Sequence, residues 1–147
     1  MTTVFILPYG EGMSAPSEPV DHMSPDPPGP LVAVCLGPRC AGVRQLAGDA
    51  DGLAELRGAV RRSRGAVLVT TGCLGPCASG AVVAVGRRAV EPPRQPGGAT
   101  TLRFTGRVAV FGCVERGAAA AALAEWVSQG GPVHGEPPRL LAPSLVA

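Results

Sequence analysis

Lysine is absent from this 147-residue chain; its 13 basic residues are all arginine, and against 11 acids they leave a net charge of +2. That is far from the basic excess a phosphate backbone selects, so nucleic acid is not expected as a partner. The arginine bias, shared with alanine, glycine and proline, carries no functional weight. Aromatic side chains are scarce: three Phe, one Tyr and one Trp. A core must therefore be assembled from Val, Leu and Ala, with a narrow energetic margin. Apolar runs stop well short of the roughly 20 residues of a membrane span. The first arginine is Arg39, and Val4 to Leu7 holds only four apolar residues, so a secretory signal is not expected either. Taken together, these absences predict a cytoplasmic protein with no membrane association, whose thiols stay reduced.

The length allows one domain. Gly (21) and Pro (16) together make up about a quarter of it, which points to some disorder. Proline placement divides the chain. Seven prolines lie in residues 1–30, three between Glu91 and Pro96, and four from Pro132 onward. Residues 1–30 therefore read as a disordered Pro-rich leader and 132–147 as a disordered tail. The folded unit is 31–131, with a loop insertion at 91–98.

Within that unit Leu31 to Val34 and Ala66 to Thr70 are apolar runs of strand length, each ending just before a cysteine-bearing loop. Between them Leu53, Leu56 and Val60 recur at helical spacing. Asp49 and Asp51 lie at the start of that pattern and Arg57, Arg61, Arg62 and Arg64 toward its end, an order that suits the helix dipole. Strand, helix and strand predict a crossover with a parallel pair. Ala81 to Val85 and Val108 to Phe111 read as further strands. Ala118 to Gln129 reads as a closing helix with Ala122, Leu123, Trp126 and Val127 on one face, stopped by Gly130-Gly131-Pro132. The order β-α-β-β-β-α predicts an α/β, thioredoxin-like fold: a small mixed sheet of about four strands with two main helices.

Five cysteines in a reducing compartment point to metal or redox chemistry before structural disulfides. Four fall in two loops, Cys35-Leu-Gly-Pro-Arg-Cys40 and Cys73-Leu-Gly-Pro-Cys77, a C-x4-C-x32-C-x3-C pattern. A parallel crossover brings both strand ends to the same sheet edge, so the two loops should be spatial neighbours. Structural zinc prefers tighter pairs and a single tetrahedron of sulfurs, whereas a 2Fe-2S cluster asks for two cysteines at each of two irons. Two loops of wider, unequal spacing fit the second demand better. Backbone donors from Gly37, Gly72, Gly75 and Gly80, with Arg39 nearby, suit its negative charge.

This spacing resembles that of the thioredoxin-like 2Fe-2S ferredoxin family, as does Gly72-Cys73-Leu-Gly-Pro-Cys77 followed by Ala81-Val-Val-Ala-Val85. It is similar to the small 2Fe-2S subunit of respiratory complex I and of NAD-linked hydrogenases. Ala124-Glu-Trp-Val127 to Gly130-Gly-Pro132 looks like the end of short bacterial ferredoxin-domain proteins. The resemblance covers about residues 31–131. It implies that Cys35, Cys40, Cys73 and Cys77 are the cluster ligands, the first pair on one iron and the second pair on the other. The Pro-rich leader and the 91–98 insertion depart from the pattern.

The remaining candidates read as structural. Cys113, after the last strand, is expected to be a small buried hydrophobe. A dithiol exchange site needs C-x-x-C, and Cys73 to Cys77 is one residue longer. His22 and His134 lie in the two ends and are expected to be solvated. Trp126 reads as core, and Gly97-Gly98 makes no phosphate cradle. Arg61, Arg62 and Arg64 read as a solvated helix end, with steering of an acidic redox partner as the alternative.

With no histidine and no acid pair placed for proton transfer in the unit, catalysis on a small molecule is not expected. The expectation is a one-electron carrier with a protein redox partner, a flavoprotein or an NAD-linked oxidoreductase; a homodimer is left open. The alternatives are an iron-sulfur or zinc-binding regulatory or storage protein, and an accessory 2Fe-2S subunit of a flavin- or NAD-linked oxidoreductase.

Overall fold

Apolar β-branched runs and two amphipathic helices organise the chain in a computed structural model that describes residues 4–5, 28–48, 50–91, 94–98, 101–115 and 117–145. The strands are β1 (Val4–Phe5), β2 (Pro30–Cys35), β3 (Val67–Thr71), β4 (Val83–Glu91) and β5 (Thr101–Phe111). The helices are α1 (Pro38–Ala47), α2 (Ala50–Arg62) and α3 (Gly117–Ser128). Four strands form a mixed sheet that the two-residue β1 extends, in the order β1-β5-β4-β2-β3. As expected, β2 and β3 run parallel, while β4 pairs antiparallel with both β2 and β5. The class is α/β.

Alternation along β2 separates two faces. Val32 and Val34 join Val83, Val85 and Phe111 in a core closed by Leu56 and Ala59 of α2 and by Leu123, Ala124, Trp126 and Val127 of α3. Phe111 meets Trp126 edge to face, ring centroids 5.9 Å apart at 78°. Leu31 and Ala33 point the other way and cluster with Val69, Ala84 and Leu102. Cys35 continues this second series.

Several elements differ from expectation. Strands β4 and β5 are longer than the apolar runs Ala81 to Val85 and Val108 to Phe111, because they extend as a hairpin whose outer half, apart from the buried Leu102, is half-buried or exposed and lacks an apolar run. Helix α1 follows β2 immediately, giving three helices where two were expected. Beyond Gly131, where a disordered tail was expected, the chain makes two short 3-10 turns, Gly131–Val133 and Arg139–Ser144. Leu141 is wholly buried in the helix-side core, and Leu145 bridges to Phe111. One buried leucine holds this segment despite its prolines. Of the expected leader, Val4–Phe5 pairs with β5 and Pro30 belongs to β2; most of the rest, with His22, lies outside the described residues.

Leu141→Ala should lower the unfolding free energy by about 2–4 kcal/mol in urea denaturation. Leu140→Ala, at a 58 % exposed neighbour, should stay within about 0.5 kcal/mol.

Candidate metal centre

The two cysteine turns leave the same end of the parallel pair. Cys35 is in register with Thr71, and the Leu36 N–H donates to the Thr71 carbonyl at 2.8 Å. The turns then touch: a Cβ on Gly37 would overlap the Gly72 carbonyl oxygen. Only a glycine at position 37 lets the second turn come this close.

Cys35 is the last residue of β2 and wholly buried. Cys40, expected in a loop, rides instead on the first turn of α1, buried on the same helix face as Arg44. Both pack with Val82. Cys77 opens a 3-10 turn, Cys77–Ser79, and is half-buried; Cys73 is exposed. The sulfurs of Cys35, Cys40 and Cys77 all lie within 4.8 Å of one another. Cys77 Sγ is 3.7 Å from Cys35 Sγ and 3.4 Å from Cys73 Sγ. All are free thiols. A metal–sulfur bond of about 2.3 Å implies a tetrahedron edge of about 3.8 Å, so these separations suit sulfurs gathered around a metal.

Backbone groups complete the setting. The Gly75 N–H donates to Cys73 Sγ at 3.4 Å. Gly72 and Gly80, expected as donors, instead present carbonyls that accept from the Cys35 thiol at 3.9 Å and the Cys40 thiol at 3.4 Å. Burial pushes the Cys35 thiol up. Hydrogen bonds from the Gly37 and Leu74 backbone and from the Cys40 and Cys77 thiols outweigh it, and the net shift is downward. Cys40 is held up by burial and then by its bond to Cys35. Cys77 is pushed up to about 12, first by its bond to Cys73 and then by those to Cys40 and Cys35. In the metal-free site Cys35 is thus the favoured thiolate and Cys77 the retained thiol.

Cys113, expected to be buried, is exposed, and its thiol donates to the Ser79 carbonyl at 3.1 Å. The turn after β5 leaves the sheet at Phe111 and lies against the turn that carries Cys77. Arg61, Arg62 and Arg64 precede β3, whereas Cys73 follows it, which separates them by roughly 15 Å of strand. They do not border the thiols. His134 and Trp126 line a cavity of about 1030 Å³ beside the β4–β5 hairpin; none of its described lining residues is a cysteine. No described helix is long and apolar enough to cross a membrane.

No family model, curated protein or solved structure matches the chain.

Cys77 sets a pH dependence in the metal-free chain. The unfolded chain ionises this thiol near 9.0, while the fold retains its proton to about 12. Its stabilising contribution is complete below the lower value and is lost as pH rises toward the upper one. Cys35 has the opposite sign: its contribution is present above the unfolded value and is lost as pH falls through its lowered one. Urea midpoints measured between about pH 8 and 11 should fall with pH, and Cys77→Ser should flatten that decline.

Proposed function

We propose that Cys35, Cys40, Cys73 and Cys77 together hold a 2Fe-2S cluster, and that the chain is a one-electron carrier built on a thioredoxin-like fold. One observation carries this reading. Two cysteine turns separated by 32 residues are brought together by the β2–β3 pair, with the sulfurs of Cys35 and Cys77 only 3.7 Å apart. When bound, such a cluster accepts and returns a single electron. The residues supply its setting. Cys35 and Cys40 anchor one side in the core, while the exposed Cys73 opens the other side to a partner. Leu36, 40 % exposed beside Cys35, adds an apolar contact at that rim. The partner is a protein, a flavoprotein or an NAD-linked oxidoreductase, and the compartment is the cytoplasm. The chain acts as carrier or accessory subunit and not as a catalyst in its own right.

The short separations favour one second reading. Sulfurs at 3.4 and 3.7 Å lie close to the edge length of a single tetrahedron, which suits one zinc ion in a structural or regulatory protein. A diiron centre asks the Cys35/Cys40 and Cys73/Cys77 pairs to stand further apart, which requires the exposed turn that carries Cys73 to shift outward.

Anaerobically purified protein should be coloured and contain two iron and two acid-labile sulfide per chain, with an EPR signal appearing on one-electron reduction. A colourless protein with one zinc per chain would establish the second reading. Replacing Cys35, Cys40, Cys73 or Cys77 by Ser should remove or destabilise the chromophore, whereas Cys113→Ser should keep it. Bleaching by Cys113→Ser with colour retained in Cys40→Ser would overturn the ligand assignment.

A further inference from the structure

The thiols are not all held by the same part of the fold. Cys35 is fixed by the sheet. Cys77 sits in a 3-10 turn with no buried residue of its own. What grips that turn is the segment after β5. The Cys113 N–H donates to the Ser79 carbonyl at 2.7 Å, and the Cys113 thiol donates to the same oxygen at 3.1 Å. The Val114 N–H donates to the Ala81 carbonyl at 3.3 Å. Gly112 lies so close that a Cβ there would stand 2.5 Å from the Ser79 oxygen and 2.7 Å from the Ser79 Cβ. Cys113 also takes a left-handed conformation, φ 54°, and is the one described residue other than glycine to do so. The contact reaches a second thiol, because the Gly80 carbonyl accepts from Cys40, and a Cβ on Gly80 would stand 3.3 Å from the Cys113 N, Cα and Sγ.

We propose that Gly112 and the left-handed backbone of Cys113 are positioning residues: they clamp the Ser79–Ala81 segment and so set where the Cys77 and Cys40 sulfurs stand. The proposal rests on the four-thiol reading for its purpose, but the clamp itself acts on the protein without metal. The backbone of Cys113, not its sulfur, carries the role.

The test alkylates the metal-free full chain with iodoacetamide and measures the rate at each cysteine by peptide mass spectrometry. Gly112→Ala should speed Cys77 and Cys40 by about tenfold, the scale expected of a forced overlap. Cys35, held by the sheet, should keep its rate. General loosening of the fold would speed Cys35 equally, and that outcome overturns the proposal, as do rates unchanged at all positions. Cys113→Val strains the same turn through its backbone and should reproduce the selective pattern, which covers the case of a Gly112→Ala chain that fails to fold. Cys113→Gly keeps the conformation and the N–H bond and should behave as the parent; selective loosening there would assign the role to the sulfur and overturn the proposal. Titration with Co2+ alone separates the two readings. A parent chain showing no thiolate-to-cobalt absorption refutes the single-ion reading, while the alkylation pattern still decides the clamp. If the parent binds Co2+, Gly112→Ala should bind it about tenfold more weakly; equal binding counts against the clamp.

Discussion

The parallel register of β2 on β3 is the constraint on which the site depends. Cys35 opposite Thr71 is the last pair of a ladder that starts at Leu31 opposite Val67. Side chains alternate along a strand, so a slip of one residue would send Cys35 to the opposite face and bring Val34 to the thiols. That slip is blocked far from any sulfur. Val32 and Val34 are wholly buried against the helix-side core, and a shifted strand would present Leu31, Ala33 and Cys35 to α2 and α3 instead. Hydrophobic burial on one face thus fixes the geometry of thiols on the other.

Crowded sulfurs impose an electrostatic condition on the same rim. As neutral thiols, Cys35, Cys73 and Cys77 satisfy one another through S–H contacts. The hydrogen bonds set the direction of each shift: against burial, those from Gly37, Cys40, Leu74 and Cys77 favour the Cys35 thiolate, whereas the bond to Cys73, then those to Cys40 and Cys35, hold the proton on Cys77, with repulsion from a Cys35 thiolate the smallest contribution. A full set of thiolates at these separations requires a cation among them, and taking one up would release protons. Part of that charge is met by the Gly75 N–H on Cys73 Sγ and by the Gly37 and Leu74 backbone at Cys35; a cation among Cys35, Cys40 and Cys77 could meet more of it. The helix-end arginines are a strand length away.

The legible parts of the sequence were those whose burial leaves a periodic trace. Leu56 on α2, and Leu123, Trp126 and Val127 on α3, are buried where helical spacing placed the core, with Leu53 and Val60 partly buried against it and Ala59 added to it, and the strand centres stand within continuous apolar runs. Helix α1 leaves no such trace, because only Cys40 and Arg44 are buried along it. Its signals are at its ends: Pro38 in the first turn, and Gly48 capping in the left-handed conformation at φ 70°. Reading Gly37-Pro38 as a turn hid a helix start and placed Cys40 in a loop. The segment after Gly131 misled in the same manner, since proline content suggested disorder and a single leucine, Leu141, outweighed it. The strand-helix-strand pattern placed the two cysteine turns at one end of the sheet, but it carried no information about Gly72 and Gly80 turning carbonyls toward sulfur, which depends on backbone dihedrals.

The four thiols form a gradient of anchoring that bears on how such a site assembles. Cys35 and Cys40 are wholly buried and pack on Val82; the sheet secures Cys35, while Cys40 leans also on the Gly80 carbonyl of the clamped segment. Cys73 and Cys77 lie on a turn from Gly72 to Gly80 whose residues are exposed or half-buried throughout. Local opening is least costly where buried apolar contacts are few. The outer turn is therefore the part that can open to admit a metal, and an inner pair already in place would receive it. Contacts from the segment after β5 limit that opening, because they tie the outer turn to a strand whose last residue, Phe111, is wholly buried. A rigid inner half and a tethered outer half let the sulfur separations adjust without disturbing the sheet, because the outer turn can shift while Cys35 stays in register with Thr71.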